Sequence, residues 1–186
     1  EPESALDAAD QFMRENPAHP RVDYALYIKG LVHFERNRGP LERLMRVDLS
    51  ARPTEELKVS FADFAELVRR FPDSPYAADA EERMVYLRNR LAEHENHIAS
   101  YYLNRDAFVA AARRAQYAFE TYEGAPATEE SLQIMIEAYR ALDLNQLAAD
   151  TERVLEASFG DRRRRGLARR DEAPEPAEEP IAATNP

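Results

Sequence analysis

The sequence contains no cysteine and no tryptophan, and only 5 of its 186 residues are glycine. The absence of cysteine excludes disulfide bonds and thiolate catalysis. Because helix-forming Ala, Leu, Glu and Arg are abundant and no run alternates β-branched with polar residues, the sequence predicts an all-α chain. No apolar stretch approaches the roughly 20 residues that a membrane-spanning helix needs.

Basic residues are scarce relative to acidic ones. There are 25 Lys and Arg against 35 Asp and Glu, which gives a formal net charge of −10. Nucleic-acid binding depends on clustered cations that displace counterions from phosphates, so this balance argues against nucleic-acid partners. We therefore expect other proteins as partners.

One spacing of residues recurs along the chain. A small residue is followed by positions four and seven further on, and a helix stop comes five residues beyond that. The copies are Ala111, Ala115, Ala118 and the stop at residues 123–124; Ala5, Ala9, Phe12 and Pro17; Ser60, Phe64, Leu67 and Pro72; and Ala148, Glu152, Leu155 and Gly160. Tyr102 and Tyr139 stand nine residues before Ala111 and Ala148, a spacing typical of the tetratricopeptide helix–turn–helix repeat. The pattern predicts a right-handed superhelix of antiparallel helix pairs.

The repeats divide the chain into a solenoid over residues 1–160 and a tail over residues 161–186. The first helix matches the second helix of a repeat, so we expect the natural protein to begin further upstream. Residues 76–104 contain no helix breaker and predict one central helix, about 40 Å long, shared by two repeats. The tail is basic and then rich in Pro, Glu and Ala, a composition that predicts flexibility. Its arginines have two interpretations, a solvated linker or contact with anionic lipid headgroups.

An insertion at residues 38–53 stands where a repeat has only a tight turn. Its apolar residues, among them Leu44 and Met45, have two interpretations: they pack against neighbouring helices, or they form a lip that binds a peptide or protein.

Histidines and carboxylates provide the only candidate chemistry. His94 and His97 are three residues apart, whereas metalloprotease histidines are four apart, and no third ligand is predictable. Paired carboxylates such as Glu55 and Glu56 lie at helix starts, where they complement the helix dipole. We predict no metal, no cofactor and no enzyme activity, and keep a histidine metal site as a rival hypothesis.

Several runs carry a more specific resemblance. They are NPAHPRVDY at 16–24, VDLSAR at 47–52, FADF at 61–64, FPDSPYAADA at 71–80, RMVYLRN at 83–89, LAEHE at 91–95, SYY at 100–102 and AFVAA at 107–111. With them the chain resembles the BamD family, the tetratricopeptide lipoproteins of the outer-membrane β-barrel assembly machinery. The resemblance covers residues 6–159.

The resemblance implies a scaffold at the periplasmic face of the bacterial outer membrane, held there only by a lipid anchor upstream of this chain. It implies that the C-terminal repeats dock on the POTRA region of a BamA-like barrel protein. The N-terminal repeats would bind a BamC-like subunit and unfolded outer-membrane protein segments. Arg114 falls at the family's partner-facing arginine, and we expect Arg113 and Arg114 to pair with carboxylates there. The alternative is that both arginines lie on a solvated helix face.

Contacts at the N-terminal groove are expected from Tyr27, Tyr76 and the insertion residues Leu44, Met45, Asp48 and Arg52. For the two tyrosines, packing within the repeats is the alternative. A rival function is another periplasmic tetratricopeptide adaptor, such as a cell-division coordinator. Binding to the POTRA region would separate the two.

Overall fold

The computed structural model of the chain describes residues 1–37 and 54–171, and within those ranges every regular element is an α-helix. The helices are α1 (Pro2–Glu15), α2 (Val22–Asn37), α3 (Glu55–Arg70), α4 (Ala77–Leu103), α5 (Phe108–Thr121), α6 (Thr128–Ala141) and α7 (Asn145–Asp171). Each helix packs against the next one along the chain, and α4 also contacts α6. The prediction of an all-α, tetratricopeptide-type fold is therefore confirmed.

Short turns reverse the chain between the helices. After α3, the backbone N–H of Phe71 donates to Leu67, and the segment with Pro72 and Pro75 leads directly into α4. The three later turns each contain a residue in the left-handed region: Asp106 (φ 59°), Gly124 (φ 80°) and Asp143 (φ 58°). Such a residue ends a helix without leaving its last carbonyls unpaired, which lets the next helix return antiparallel.

The predicted central helix is α4, with 27 residues. At about 1.5 Å per residue it is about 40 Å long. Its first part, with Ala80 and Leu87, joins a first buried cluster with α2 and α3, and its later Ala99 joins a second cluster with α5 and α6. One helix thus supplies buried residues to both halves of the chain.

Small residues occupy the positions that the repeat spacing indicated. Ala111, Ala115 and Ala118 are fully buried, and Tyr102 packs against the cluster that contains Ala111. In the first cluster, Phe64 is fully buried over Gly30, where an added Cβ would lie 2.5 Å from Cε1 of the ring. The close approach of paired helices is therefore confirmed at both ends of the chain.

One helix boundary differs from the sequence-based expectation. The last helix does not stop at Gly160: α7 continues to Asp171, because a helical glycine costs only about 1 kcal/mol and good helix formers follow it. In α2, Tyr24 is 42% exposed, whereas Val22, Ala25 and Leu26 are buried. Thr54 precedes α3 and makes no side-chain cap hydrogen bond.

Candidate functional site

The outer face of α5 gathers the two arginines that the sequence singled out. Because α5 buries its alanines against α4, the side chains four residues apart on its other side face outward. These are Val109, Arg113 and Tyr117 in one row and Ala110 and Arg114 in the next. Val109 is 52% exposed and Tyr117 is 46% exposed. An apolar and basic surface thus lies on a chain whose net charge is negative.

Two shallow grooves border this face. The first, of about 370 Å³, is lined by Tyr102, Ala110, Arg113, Arg114 and Tyr117. The second, of about 420 Å³, is lined by residues 106–110 with Arg113 and Leu142. Since Arg113 lines both grooves, it lies at the centre of the surface. We call the residues of these two grooves the α5 surface.

Arg114 is not a free surface arginine. Its Nη1 donates to Oε2 of Glu95 on α4 at 2.8 Å, and the Glu95 side chain is buried while that of Arg114 is 45% exposed. Arg113, in contrast, is exposed and has no ion-pair partner among the described residues. The structure therefore places both arginines on one face, but only one of them is held by a carboxylate.

Aromatic side chains surround the arginines. Tyr117 packs edge-on against Tyr122 with ring centroids 6.2 Å apart, and Tyr122 is buried. Burial, aided by the neighbouring Tyr117 and Glu95, raises the pKa of the Tyr122 hydroxyl. At the end of α4, the Arg105 guanidinium lies 4.4 Å from the ring centroid of the exposed Tyr101. Tyr101 in turn contacts Tyr102, which lines the first groove, so aromatic contacts continue from the α5 surface along α4.

The sequence analysis missed Glu95. The buried positions of α4 follow a helical stripe through Leu91, Ala92, Glu95, Asn96 and Ala99. A carboxylate in register with that stripe is unusual, because charged residues are seldom buried without a partner. That signal was available in the sequence, whereas the identity of the partner, 19 residues away, was not.

The second group of expected contacts lies where α2 meets α4. Tyr27 and Tyr76 stack with centroids 4.8 Å apart, and the Tyr27 hydroxyl donates to Oδ2 of Asp79 at 2.7 Å. Nε of Arg83 donates to the same oxygen at 2.6 Å, and this hydrogen bond chiefly lowers the pKa of Asp79. The structure brings the two tyrosines together as partners of each other. Leu44, Met45, Asp48 and Arg52 lie outside the described residues.

An apolar groove of about 490 Å³ lies between α1 and α2. Its lining consists of Ala5, Ala8, Ala9, Phe12, His19, Arg21, Tyr24, Ala25 and Ile28. The ring of Phe12 packs edge-on against His19 with centroids 5.2 Å apart. Four of the lining residues lie on α1, so the groove is where the apolar face of α1 meets α2.

In the described ranges, no three His, Asp or Glu residues lie close enough together to hold a metal ion. His94 and His97 lie on the same helix, α4, and His97 is exposed. Among the described helices, none combines the length and apolar character needed to cross a bilayer.

Comparison with known proteins identifies the family. Residues 1–155 match the family model YfiO, described as outer membrane lipoprotein. The chain belongs to the YfiO family of outer membrane lipoproteins. The resemblance to BamD is confirmed by relatives carrying that name. The α5 surface, the Tyr27–Tyr76 stack and the α1–α2 groove all lie within the matched residues of this YfiO-family chain.

Three relatives illustrate the match, each called outer membrane protein assembly factor BamD. The protein of Neisseria meningitidis serogroup B is 47% identical over 159 residues, which are 86% of this chain and 60% of the relative. The Vibrio cholerae protein is 40% identical over 81% of this chain and 63% of the relative. The Xylella fastidiosa protein is 35% identical over 86% of this chain and 54% of the relative. The YfiO-family chain thus spans about 60% of the length of its relatives.

Proposed function

We propose that the chain is a non-enzymatic scaffold in the assembly of outer-membrane β-barrel proteins, acting at the periplasmic face of the outer membrane. Relatives named as outer membrane protein assembly factors match it over most of its length. The structural observation that carries the proposal is the α5 surface, where two arginines lie between exposed aromatic side chains. Such a surface suits protein recognition, since Arg and Tyr dominate the energetics of protein interfaces.

The α5 surface is the proposed docking site for the POTRA region of a BamA-like barrel protein. Guanidinium groups bind carboxylates through two parallel hydrogen bonds and lose less on desolvation than an ammonium group. Arg113, which has no ion-pair partner in the described ranges, is available for such a bond, and Arg114 presents its exposed edge beside it. We expect the partner to present acidic side chains to these two arginines.

The N-terminal repeats are proposed to bind a BamC-like subunit and segments of unfolded outer-membrane proteins. The groove between α1 and α2 supports this proposal, since it is lined mainly by alanines and aromatic rings. Extended chains with alternate apolar residues can place those side chains in such a groove. Tyr24, which lines this groove, contacts Tyr76 with ring centroids 5.5 Å apart, so the half-buried Tyr27 and Tyr76 continue the aromatic surface next to it.

Docking is tested by measuring the affinity of the chain for a purified POTRA region by calorimetry. Arg113→Glu breaks no internal ion pair and reverses one charge, so we expect at least a tenfold loss of affinity with unchanged helicity. Arg114→Glu is expected to weaken binding further and also to destabilise the fold, because it faces Glu95. Arg69→Glu is the matched control, since Arg69 is exposed on α3 away from the α5 surface.

An Arg113→Glu variant that binds as tightly as the unaltered chain would exclude the α5 surface as the docking site. Failure of the unaltered chain to bind any POTRA region would instead favour a different periplasmic adaptor role, such as cell-division coordination.

A further inference from the structure

The pair formed by Glu95 and Arg114 has one buried and one exposed end. Glu95 is 8% exposed as a residue, and it reaches across from α4 to the base of a guanidinium that borders solvent. Among the described residues, most ion pairs join two residues at helix surfaces, as Arg70 and Glu66 do on α3. A buried carboxylate that contacts an arginine of the proposed docking site therefore needs its own explanation.

The geometry points to Glu95 as a positioning residue: it holds the Arg114 guanidinium so that its free edge faces the groove and binds a carboxylate of the docking partner. This inference rests on the proposed docking function of the α5 surface. It assigns to Glu95 a role through Arg114 and not a contact with the partner.

Hydrogen-bond capacity allows both carboxylates at once. A guanidinium has five N–H donors arranged in a planar fork, and Glu95 accepts from Nη1. The other N–H groups of Arg114 have no acceptor within the described ranges, and the side chain is 45% exposed. A partner carboxylate can therefore add to the free edge without displacing Glu95.

We expect the partner carboxylate to bind Arg114 without displacing Glu95. If Arg114 turned away, the carboxylate of Glu95 would remain buried without its cation, and an unpaired buried charge is strongly destabilising. An arginine without such a partner would also lose rotamer entropy when it binds. Glu95 already restricts the rotamers of Arg114 in the free chain, so this loss on binding is smaller. The pair thus presents a preorganised cation to the partner.

The walls of the groove indicate the chemistry of the segment it would take. Tyr102 and Tyr117 contribute aromatic rings to its lining, and the small Ala110 lines it as well. Tyr117 is supported from behind by the buried Tyr122. The segment that fits has an acidic side chain next to an apolar or aromatic one, with the carboxylate on Arg114 and the apolar group against the lining tyrosines.

Glu95→Gln tests the inference in the complete chain. Glutamine keeps the size of the side chain and one acceptor but removes the charge that orients Arg114. We expect the affinity for the POTRA region to fall about tenfold, since charge-assisted hydrogen bonds are roughly twice as strong as neutral ones. Glu93→Gln on the same helix is the matched control, because Glu93 pairs with Arg90 and Asn89 and should leave the affinity unchanged.

A double-mutant cycle separates positioning from a general structural effect. With Arg114→Ala in place, adding Glu95→Gln should leave binding unaltered and should raise the melting temperature, because the unpaired buried charge is removed. With Arg113→Ala in place, adding Glu95→Gln should still weaken binding. Loss of affinity that persists without Arg114 would overturn the inference.

Three further outcomes separate the inference about Glu95 from the proposed docking function. If Glu95→Gln tightens binding, Glu95 competes with the partner for Arg114, and the inference is wrong while docking stands. If Glu95→Gln leaves affinity unchanged while Arg113→Glu abolishes it, the inference also fails and the proposed function survives. If the unaltered chain does not bind, both fall together.

Discussion

The two buried clusters of this chain share α4 but are built from different residues. The first, between α2, α3 and the start of α4, packs aromatic and branched side chains such as Phe34, Phe64 and Leu67. The second, between the end of α4 and α5, packs alanines at positions 99, 111, 112 and 115 beneath the branched side chains of α6. Small residues throughout α5 bring its backbone close to α4, which leaves its outer row exposed as the α5 surface.

Charges are also arranged differently in the two regions. In the first, Lys29 lies 2.8 Å from Asp10 and 3.7 Å from Asp63, and His33 shares a 2.8 Å hydrogen bond with Glu56. Basic groups there are paired between α1, α2 and α3. In the second, the buried Asn96 bonds to the neutral Ser131, the buried Glu95 is held by Arg114, and Arg113 stays unpaired within the described ranges. Charge joins helices in both regions, but in the second region one arginine, Arg113, also remains available to a partner.

Removing Phe64 should have the largest effect. Its ring is fully buried over Gly30, so Phe64→Ala leaves a cavity at the closest approach of α2 and α3. We expect a loss of about 3–5 kcal/mol in the free energy of unfolding, measured by urea denaturation. Affinity for the POTRA region should be unchanged at temperatures where the variant is folded, since the α5 surface belongs to the other region.

Gly30→Ala provides the matched test of that close approach. Alone it should destabilise the chain, because its Cβ would lie within 2.5 Å of the Phe64 ring. In the Phe64→Ala background the same change should cost much less, since the ring is gone. Equal costs in both backgrounds would show that the ring does not determine the helix spacing.

The sequence predicted the helices and their close contacts better than the polar contacts. The breaker-free run of α4 and the small residues at 111, 115 and 118 follow from local rules of helix formation and packing, and the structure has them as expected. Gly124 ends a helix with a φ of 80°, but Gly160 does not, because a glycine stops a helix only where the chain takes the left-handed conformation.

The sequence did not predict which polar side chains pair across helices. The partners Glu95 and Arg114 are 19 residues apart, and Tyr27 and Asp79 are 52 apart, so their contacts depend on how helices rotate and cross. Periodicity indicates which face of a helix is buried but not which polar side chain meets which. Arg113 and Arg114 were singled out by family resemblance, and their different environments appeared only with the fold.

Truncating Asn96 should have an intermediate effect. This side chain is 1% exposed on α4; its Nδ2 donates to the Ala127 carbonyl at 2.8 Å, and its Oδ1 accepts from the Ser131 hydroxyl at 2.6 Å. Asn96→Ala leaves two buried polar groups without this partner, so we expect a loss of about 1–3 kcal/mol in unfolding free energy. These two short contacts are neutral, and only a longer one, from Nδ2 to Oε2 of Glu130 at 3.4 Å, involves a charged group, so the loss should vary little between pH 4 and pH 8.

Ser131→Ala is the milder control in the same contact. It removes the hydroxyl donor but leaves the Asn96 amide bonded to Ala127, and it should cost less than Asn96→Ala. A loss from Asn96→Ala that varied strongly with pH would show that the charged Glu130, and not the neutral Ala127 and Ser131, dominates the contacts of Asn96.

The smallest expected effect is a pH dependence from Asp63 in the first region. Burial raises the pKa of this carboxyl, opposed by Lys29 and His33 of α2 and reinforced by Asp10 of α1 and Glu66 of α3. Its Oδ2 has no hydrogen-bond partner among the described residues. In the folded state Asp63 therefore binds its proton more tightly than in the unfolded state. Stability from this group is present at low pH and is lost as pH rises from the usual aspartate pKa, about 4, through the raised value.

Asp63→Asn should remove that loss. Urea denaturation of both proteins between pH 3 and pH 7 should show the unfolding free energy of the unaltered chain falling relative to the variant as pH rises through that window. Lys29 keeps Asp10 as a partner in the variant, so the helices should remain joined. If the difference in unfolding free energy between the two proteins stayed constant with pH, or grew in favour of the unaltered chain, the attraction of Lys29 would offset or outweigh the burial of Asp63. The charges of the first region would then be fully stabilised by their partners.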